Sequence, residues 1–357
     1  MAEIPTCRWG IVATGLISSW FVADLVLERD NPKARHVIQA IGSSSAQKGK
    51  DFAAKYCPNA SPTIYGSYAE IYADPEVDCV YVGTPMSFHK KNCLDAIAAG
   101  KNVLCEKAFT INAKEAREVF DAAKKKGVYV AEAMWLRHRP MVTKFRQLLF
   151  DNNAIGNVAL ATSNFALPLD IPGLPATSRY KDPELGAGTL LDIGIYPLTW
   201  LILSLDSNGP QSPEDPKVIA TQTHSSGVEA TTSVILHYPS TGRQGVLTST
   251  FMTEQIRGTV CRVQGSEGYI DVIGEKPSHP EYFVVYRKQS EGKFSSEKFE
   301  FPHKDQGFLF EADNTAVDIA AKKHESAIMP WKESIRVMEL MDEIRRQGGT
   351  VYSQDKE

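Results

Sequence analysis

From its start to Ala133 the chain alternates short apolar runs with stretches of helical periodicity, and this rhythm restricts the fold more than any other feature. The apolar runs close at Val12, Gly42, Val82, Cys105 and Ala133. Between them lie a helix pattern through Phe21, Leu25 and Val26, another from Gln47 to Tyr56, and a third from His89 to Ala99. Strands and helices alternating in units of about 30 residues form βαβ crossovers, so the first part should be a doubly wound parallel sheet of Rossmann type. After a helix over Met141 to Phe150 the pattern changes. Strand-like runs follow one another at Val158 to Phe165, Val218 to Thr223, Thr231 to Tyr238, Gln244 to Phe251, Thr259 to Gln264, Tyr269 to Ile273 and Tyr282 to Lys288. Short turns joining such runs predict a mostly antiparallel sheet in a second, α+β domain. The 357 residues exceed the span of one hydrophobic core, about 250 to 300 residues. We therefore expect domains at 1–134 and 135–357. The stretch Pro168 to Pro183 reads as a long loop, and Trp331 to Gln347 as a closing amphipathic helix.

In an open parallel sheet, ligands bind beyond the carboxyl ends of the strands. The first strand runs through Ala13-Thr14-Gly15-Leu16-Ile17-Ser18 into a helix, the context of a dinucleotide fingerprint. Ala13 and Ser18 stand where two of its glycines belong, and Gly15 alone is left to let backbone approach a pyrophosphate. The second strand ends in Ser43-Ser44-Ser45 with Lys48 beyond it. A carboxylate for the ribose hydroxyls is missing there, so hydroxyls and an ammonium suit a 2′-phosphate, and NADP is favoured over NAD; capping of the following helix is the other use of these serines. Thr84 and Pro85 end the next strand, with His89 after them. Lys107 ends the one after that and is the first candidate for chemistry, against the alternative of a solvated lysine. Further on, Asp192 and Tyr196 fall four residues apart on one helix face. An acid near a helix start and a half-buried phenol would be the plain reading. A phenol beside an ammonium, however, has a lowered pKa and can exchange protons.

The hydrophobic fraction of 43%, the charged fraction of 23% and the net charge of -4 suit a globular enzyme and give no electrostatic reason for nucleic acid or membrane as partner. We expect no apolar run long enough for a bilayer and no signal peptide. The six cysteines, with no C-x-x-C pair, read as reduced thiols of a cytoplasmic protein, and the scattered histidines offer no metal site.

In order, these segments resemble the glucose-fructose oxidoreductase and inositol dehydrogenase superfamily, and within it the branch of dimeric dihydrodiol dehydrogenase and fungal NADP-dependent D-xylose 1-dehydrogenase. The matching motifs are the turn at Gly15, Thr84-Pro85 with His89, Glu106-Lys107, Glu132 to Arg137, Leu191 to Pro197, Gln264 to Gly268 and Pro330 to Ser334. Tyr196, where many members carry histidine, points to the branch. The resemblance implies Lys107 and Tyr196 as a proton-handling pair and Asp192 as partner of a substrate hydroxyl. It also implies Glu106 beside the nicotinamide, Trp135 and Arg137 on the wall of the site, and a homodimer formed through the face of the large C-terminal sheet. The substrate would be a sugar, a vicinal diol or a related carbonyl compound. Departures gather around the expected pocket: Leu136, His138 and Arg139 replace a threonine and two aromatics, Ser178-Arg179 replaces His-Arg, and Met86 replaces Asn or His. His138 and Arg179 are therefore carried as substrate contacts, with surface exposure as the alternative for His138 and Arg139. The changes leave room for a specialised biosynthetic reductase or isomerase with a larger substrate, and for a nucleotide sensor without turnover.

Overall fold

The first apolar run forms β1 (Thr6–Val12), and the alternation continues through α1 (Leu16–Leu25), β2 (Arg35–Gly42), α2 (Ala46–Tyr56), β3 (Thr63–Tyr65), α3 (Tyr68–Ala73), β4 (Cys79–Val82), α4 (His89–Ala98), β5 (Asn102–Glu106), α5 (Ala113–Lys126) and β6 (Val130–Ala133). The computed structural model describes residues 4–207, 209, 214–302 and 305–356. The six strands make one parallel sheet in the order β3-β2-β1-β4-β5-β6. Its central strands are apolar on both faces because helices cover both, so Trp9, Ile11, Val80, Tyr81, Val103 and Cys105 have no exposed surface.

After α6 (Pro140–Arg146) a second sheet is built from β7 (Val158–Ala166) and, beyond α7 (Ile195–Leu205), from β8 (Lys217–Ser225), β9 (Val228–His237), β10 (Gln244–Thr250), β11 (Gly258–Gly265), β12 (Gly268–Lys276), β13 (His279–Lys288) and β14 (Phe294–Glu300). The order is β14-β13-β12-β11-β7-β10-β9-β8, antiparallel except for the parallel pair β7 and β10. Buried α7 packs on one face, so closely at Gly245 that a Cβ there would lie 2.8 Å from the methyls of Leu201 and Leu205. Alternate residues face away from α7. Ile219, Ile235 and Val246 pair across β8, β9 and β10 and are 61%, 39% and 37% exposed. α8 (Phe308–Ala320) and α9 (Trp331–Gly348) complete the chain.

The chain divides into two units, Met1–His138 with His303–Met338 and Arg139–Pro302 with Glu339–Glu357. This corrects the expected boundary after residue 134 and, more substantially, returns a C-terminal segment to the first unit. α8 lies outside the helices expected from periodicity. Its seat is chemical: Asp24 of α1 accepts the N–H groups of Gln306, Gly307 and Phe308 at 3.0, 2.9 and 2.9 Å and so caps the helix from 284 residues away. Arg29 and His36 grip Asp313 at 2.8 and 2.9 Å, and Phe308 stacks on Trp135 with ring centroids 4.8 Å apart. Three smaller differences have local reasons. The helix expected to Phe150 keeps α geometry to Arg146 and widens into a π turn over Gln147–Asp151. β14 was missed because it is a polar edge strand without alternation. Pro183–Leu205 is apolar and long enough to cross a membrane on composition, against expectation, but its most apolar 18-residue stretch is buried in the fold.

Candidate active site

In the first unit, the turn after β1 supplies a dinucleotide cradle with unusual residues. Ala13 adopts φ 78°, the left-handed conformation that explains why relatives of this motif prefer glycine there. Gly15 caps α1, and beyond its chain neighbours nothing lies within 4 Å of where its Cβ would be, so the approach to the helix N-terminus is open at this residue. The missing third glycine is compensated across the interface: a Cβ on Gly83 at the end of β4 would lie 2.3 Å from Ser18 Oγ, so that glycine provides the close approach that Ser18 forgoes. Beside the turn is a cleft of about 520 Å³ lined by Thr14, Gly15, Ser44, Lys48, Asp51 and Tyr68, among others. Lys48 Nζ lies 3.3 Å from Ser44 Oγ. Ser45 caps α2 by accepting the Lys48 N–H at 3.3 Å, so capping and cleft share the serine run. Ser43 also lines the cleft; it is buried, its hydroxyl 3.0 Å from Thr14 Oγ1, and buttresses the turn. The sequence reading missed Asp51 and Tyr68. Asp51, one turn beyond Lys48 on α2, was legible from helical spacing.

Thr84 is buried, and its hydroxyl accepts from Asn92 at 3.2 Å. Thr84 and Pro85 also border an 820 Å³ groove running between Tyr68 and Tyr72 of α3 and Asn92 of α4. His89 is a correction. Its ring is fully buried, with Nε2 2.8 Å from the Thr84 carbonyl and Nδ1 3.0 Å from that of Ala108. Burial lowers its pKa, and the ring, with both nitrogens against backbone carbonyls, braces the ends of two strands and has no nitrogen left for a cofactor.

Lys107 emerges half-buried just past β5. Glu106 before it turns inward, contrary to a nicotinamide contact: Oε1 accepts the Tyr81 hydroxyl at 2.6 Å and Oε2 the Lys107 N–H at 3.2 Å. Burial pushes Glu106 up to about 7, and Glu132 likewise, while Glu311 of α8 is raised further by burial and by both of these carboxyls. Trp135 and Arg137 are also interior. Arg137 pairs with Glu333 at 2.7 Å, and Arg336 reaches the same carboxylate at 3.2 Å. Burial opposes that charge, but the two guanidinium groups outweigh it and hold Glu333 below its ordinary pKa. The Pro330 to Ser334 motif thus anchors Arg137, which corrects its expected place on the wall of the site. His138 is buried rather than exposed, its Nδ1 accepting from Asn314 at 3.0 Å. Burial and the neighbouring Arg137 and Lys33 lower it to about 3, so it is neutral and no receptor for an anion.

In the second unit the chain brings Arg179, Asp192 and Tyr196 onto one helix and its approach. Leu190–Gly194 forms a π turn continuous with α7, a widening often found at functional sites, which spacing alone could not reveal. Asp192 Oδ1 lies 3.3 Å from an Arg179 nitrogen, and that guanidinium sits 4.0 Å over the Tyr180 ring and donates to its hydroxyl at 2.8 Å. Tyr180 was not anticipated. Tyr196 is 5% exposed, with Phe165 6.0 Å away by ring centroids. Arg139 is buried as well, contrary to the surface alternative. The arrangement offers a carboxylate with a fixed counter-charge and a phenol one turn on, which can bind hydroxyl groups and move a proton. Among the described residues no cluster of three or more metal-ligating side chains occurs.

Comparison with known proteins agrees with this geometry. An oxidoreductase family with an NAD-binding Rossmann fold matches residues 7–134, and the GFO/IDH/MocA C-terminal domain matches residues 143–271. D-xylose 1-dehydrogenase (NADP(+)) of Hypocrea jecorina is 36% identical over 97% of this chain and 93% of its own. Trans-1,2-dihydrobenzene-1,2-diol dehydrogenase of Sus scrofa is 33% identical over 98% and 99%. Among solved structures, the 3-ketoreductase KijD10 of Actinomadura kijaniata, in complex with NADP and TDP-benzene, shares the fold with a TM-score of 0.80 at 22% identity, covering 96% of this chain and 98% of that one. The chain belongs to the GFO/IDH/MocA family of oxidoreductases.

Proposed function

We propose that this oxidoreductase is an NADP-dependent dehydrogenase that oxidises a hydroxyl of a sugar or vicinal diol and, in reverse, reduces the matching carbonyl. The observation that carries the reading is the π turn that gathers Asp192, Arg179 and Tyr196 in a family whose similar members include a xylose and a dihydrodiol dehydrogenase. The open space at Gly15 and the cleft at Ser44 and Lys48 fit the dinucleotide. Leu16 and Ile17 N–H groups with Thr14 would hold its pyrophosphate, Ser44 and Lys48 its 2′-phosphate, and Thr84 and Pro85 its further contacts. When bound, NADP supplies the hydride acceptor. Asp192, held by Arg179, accepts a hydrogen bond from a substrate hydroxyl and orients it. Tyr196 takes the proton of the reacting hydroxyl, and Lys107 supplies the positive charge that a phenolate requires. For an aldopyranose the C1–H leaves as hydride and the O–H as proton, and the product is a lactone. With His138 neutral and inside the first unit, the altered segment loses its force as an argument for an anionic substrate.

The same reading includes a homodimer through the uncovered sheet face, supported by the exposed row Ile219, Ile235 and Val246, and a cytoplasmic setting, supported by six free cysteines. The test is NADPH formation from NADP, with NAD as comparison, against D-xylose, D-glucose and a trans-dihydrodiol, and the reverse reaction on dicarbonyls. Turnover of a sugar or diol with preference for NADP is expected. Binding of NADPH with no turnover anywhere on the panel would overturn the reading in favour of a sensor.

A further inference from the structure

The segment leading into the Asp192 and Tyr196 helix rests on a buried carboxyl that the proposed reaction does not use. Glu229 on β9 has no exposed surface, and its Oε1 accepts the N–H of Leu190, the first residue of the π turn, at 3.2 Å. Two residues earlier, Gly188 has φ 139°, and a Cβ there would stand 2.2 Å from both Glu229 carboxylate oxygens. The carboxyl therefore lies directly against bare backbone, at the end of the helix where N–H groups gather and negative charge is favoured. Burial pushes it up to about 7, and the Leu190 N–H draws it back down.

The end of the chain backs this contact. Thr350 Oγ1 lies 3.4 Å from Glu229 Oε2 and 2.7 Å from Gln222 Oε1. Tyr352, fully buried, donates its hydroxyl to the Ala187 carbonyl at 2.9 Å. Arg345 sits 4.9 Å over the Tyr352 ring and pairs at 2.6 Å with Asp355, which also accepts the Tyr352 N–H at 2.9 Å. Residues 187 to 190 are thus pinned from β9 and from the tail. Without Glu229 the Leu190 N–H becomes a buried orphan, and a π turn that relaxes to α geometry rotates Tyr196 about the helix axis relative to Asp192.

We infer that Glu229, backed by Thr350 and Tyr352, is a positioning residue for catalysis, fixing the start of the helix that aims Asp192 and Tyr196; this rests on the proton-handling role proposed for Tyr196. A misplacement of about 1 Å can cost about 100-fold in rate, so the effect should be read in kcat rather than in cofactor affinity. Turnover of D-xylose with NADP and hydrogen–deuterium exchange over residues 187–196 are measured for Glu229→Ala, Glu229→Gln and Tyr352→Phe, each alone and with Tyr196→Phe. Glu229→Ala should lower kcat by about 30-fold or more with KM for NADP within about 2-fold, and should raise exchange in this segment alone. Glu229→Gln, which keeps the acceptor, should restore kcat to within about 5-fold, and Glu229→Ala should add less than about 3-fold to Tyr196→Phe because it acts through that side chain. Unchanged kcat and exchange in Glu229→Ala, or a loss that multiplies fully onto Tyr196→Phe, overturns the inference. Should Glu229→Ala not fold, Tyr352→Phe decides: a several-fold loss in kcat with faster exchange supports the inference, and wild-type behaviour overturns it. A fully active Tyr196→Phe sinks the proton-handling assignment alone, and a wild type inert on D-xylose moves the kcat readings to whichever substrate of the panel turns over; exchange over 187–196 tests the brace in either case.

Discussion

Ser44 is the residue through which cofactor preference should be easiest to move. It stands at the cleft, 3.3 Å from the Lys48 ammonium, at the strand end where NAD-binding sheets place a carboxylate. Ser44→Asp should pair with Lys48 and repel a 2′-phosphate, shifting the ratio of kcat/KM from NADP toward NAD by about 10-fold or more. An unchanged ratio would remove Ser44 from the phosphate site. Lys107→Met and Tyr196→Phe should each lower kcat by about 100-fold with NADPH binding, read by fluorescence titration, nearly intact, because proton transfer is lost rather than uniform binding. Parallel losses in binding and rate would assign these residues to cofactor binding instead. At this scale the sequence was a fair guide to which residue types matter and a poor guide to where they point. Glu106, Arg137, His138 and His89 are polar residues in or beside the motifs that carry the resemblance, yet each is turned inward onto Tyr81, Glu333, Asn314 or backbone carbonyls. A one-dimensional pattern carries the identity of a buried partner only when that partner is near in sequence, and Glu333 lies 196 residues from Arg137.

Among the elements, periodicity located most strands and helices to within a residue or two, because apolar runs of two- and 3.6-residue period encode burial directly. It failed at the polar edge strand β14 and the π turns at Gln147–Asp151 and Leu190–Gly194, where burial is not the organising force, and at α8, whose cap and seat come from Asp24, Arg29 and His36 far back in the chain. The start of α9 shows what an element gains from a buried charge. Glu333, in its first turn, pairs with both Arg137 and Arg336, with all three side chains 5% exposed or less. Glu333→Ala removes the carboxylate that the two interior guanidinium groups share and should cost about 3 to 5 kcal/mol, read as a lower urea midpoint. A change below about 1 kcal/mol would mean that the arginines find other partners or water.

For the whole molecule, the buried acids set the response to pH. Asp24 is raised to about 6, Glu106, Glu132 and Glu229 to about 7, and Glu311 well above its ordinary value, chiefly by burial. Each binds its proton more tightly folded than unfolded, so its contribution is fully present below about pH 4.5 and is lost as pH rises through its folded value. His89 and His138, lowered by burial, act in the opposite sense and weaken the fold as pH falls below about 6.5. Five acids outweigh two histidines across the shared window, so Tm should be higher at pH 5.5 than at pH 8, and Glu132→Gln should flatten the difference. A Tm that climbs steadily to pH 8 would contradict this balance. One more consequence belongs to the whole chain. Because Asp24 caps α8 across 284 residues, the nucleotide-binding sheet gains one of its flanking helices only when the last part of the polypeptide has left the ribosome. A gene fragment ending after β6 would deliver an incomplete domain with a bare apolar seat, because the half that is translated first is completed only by a segment that follows most of the second unit.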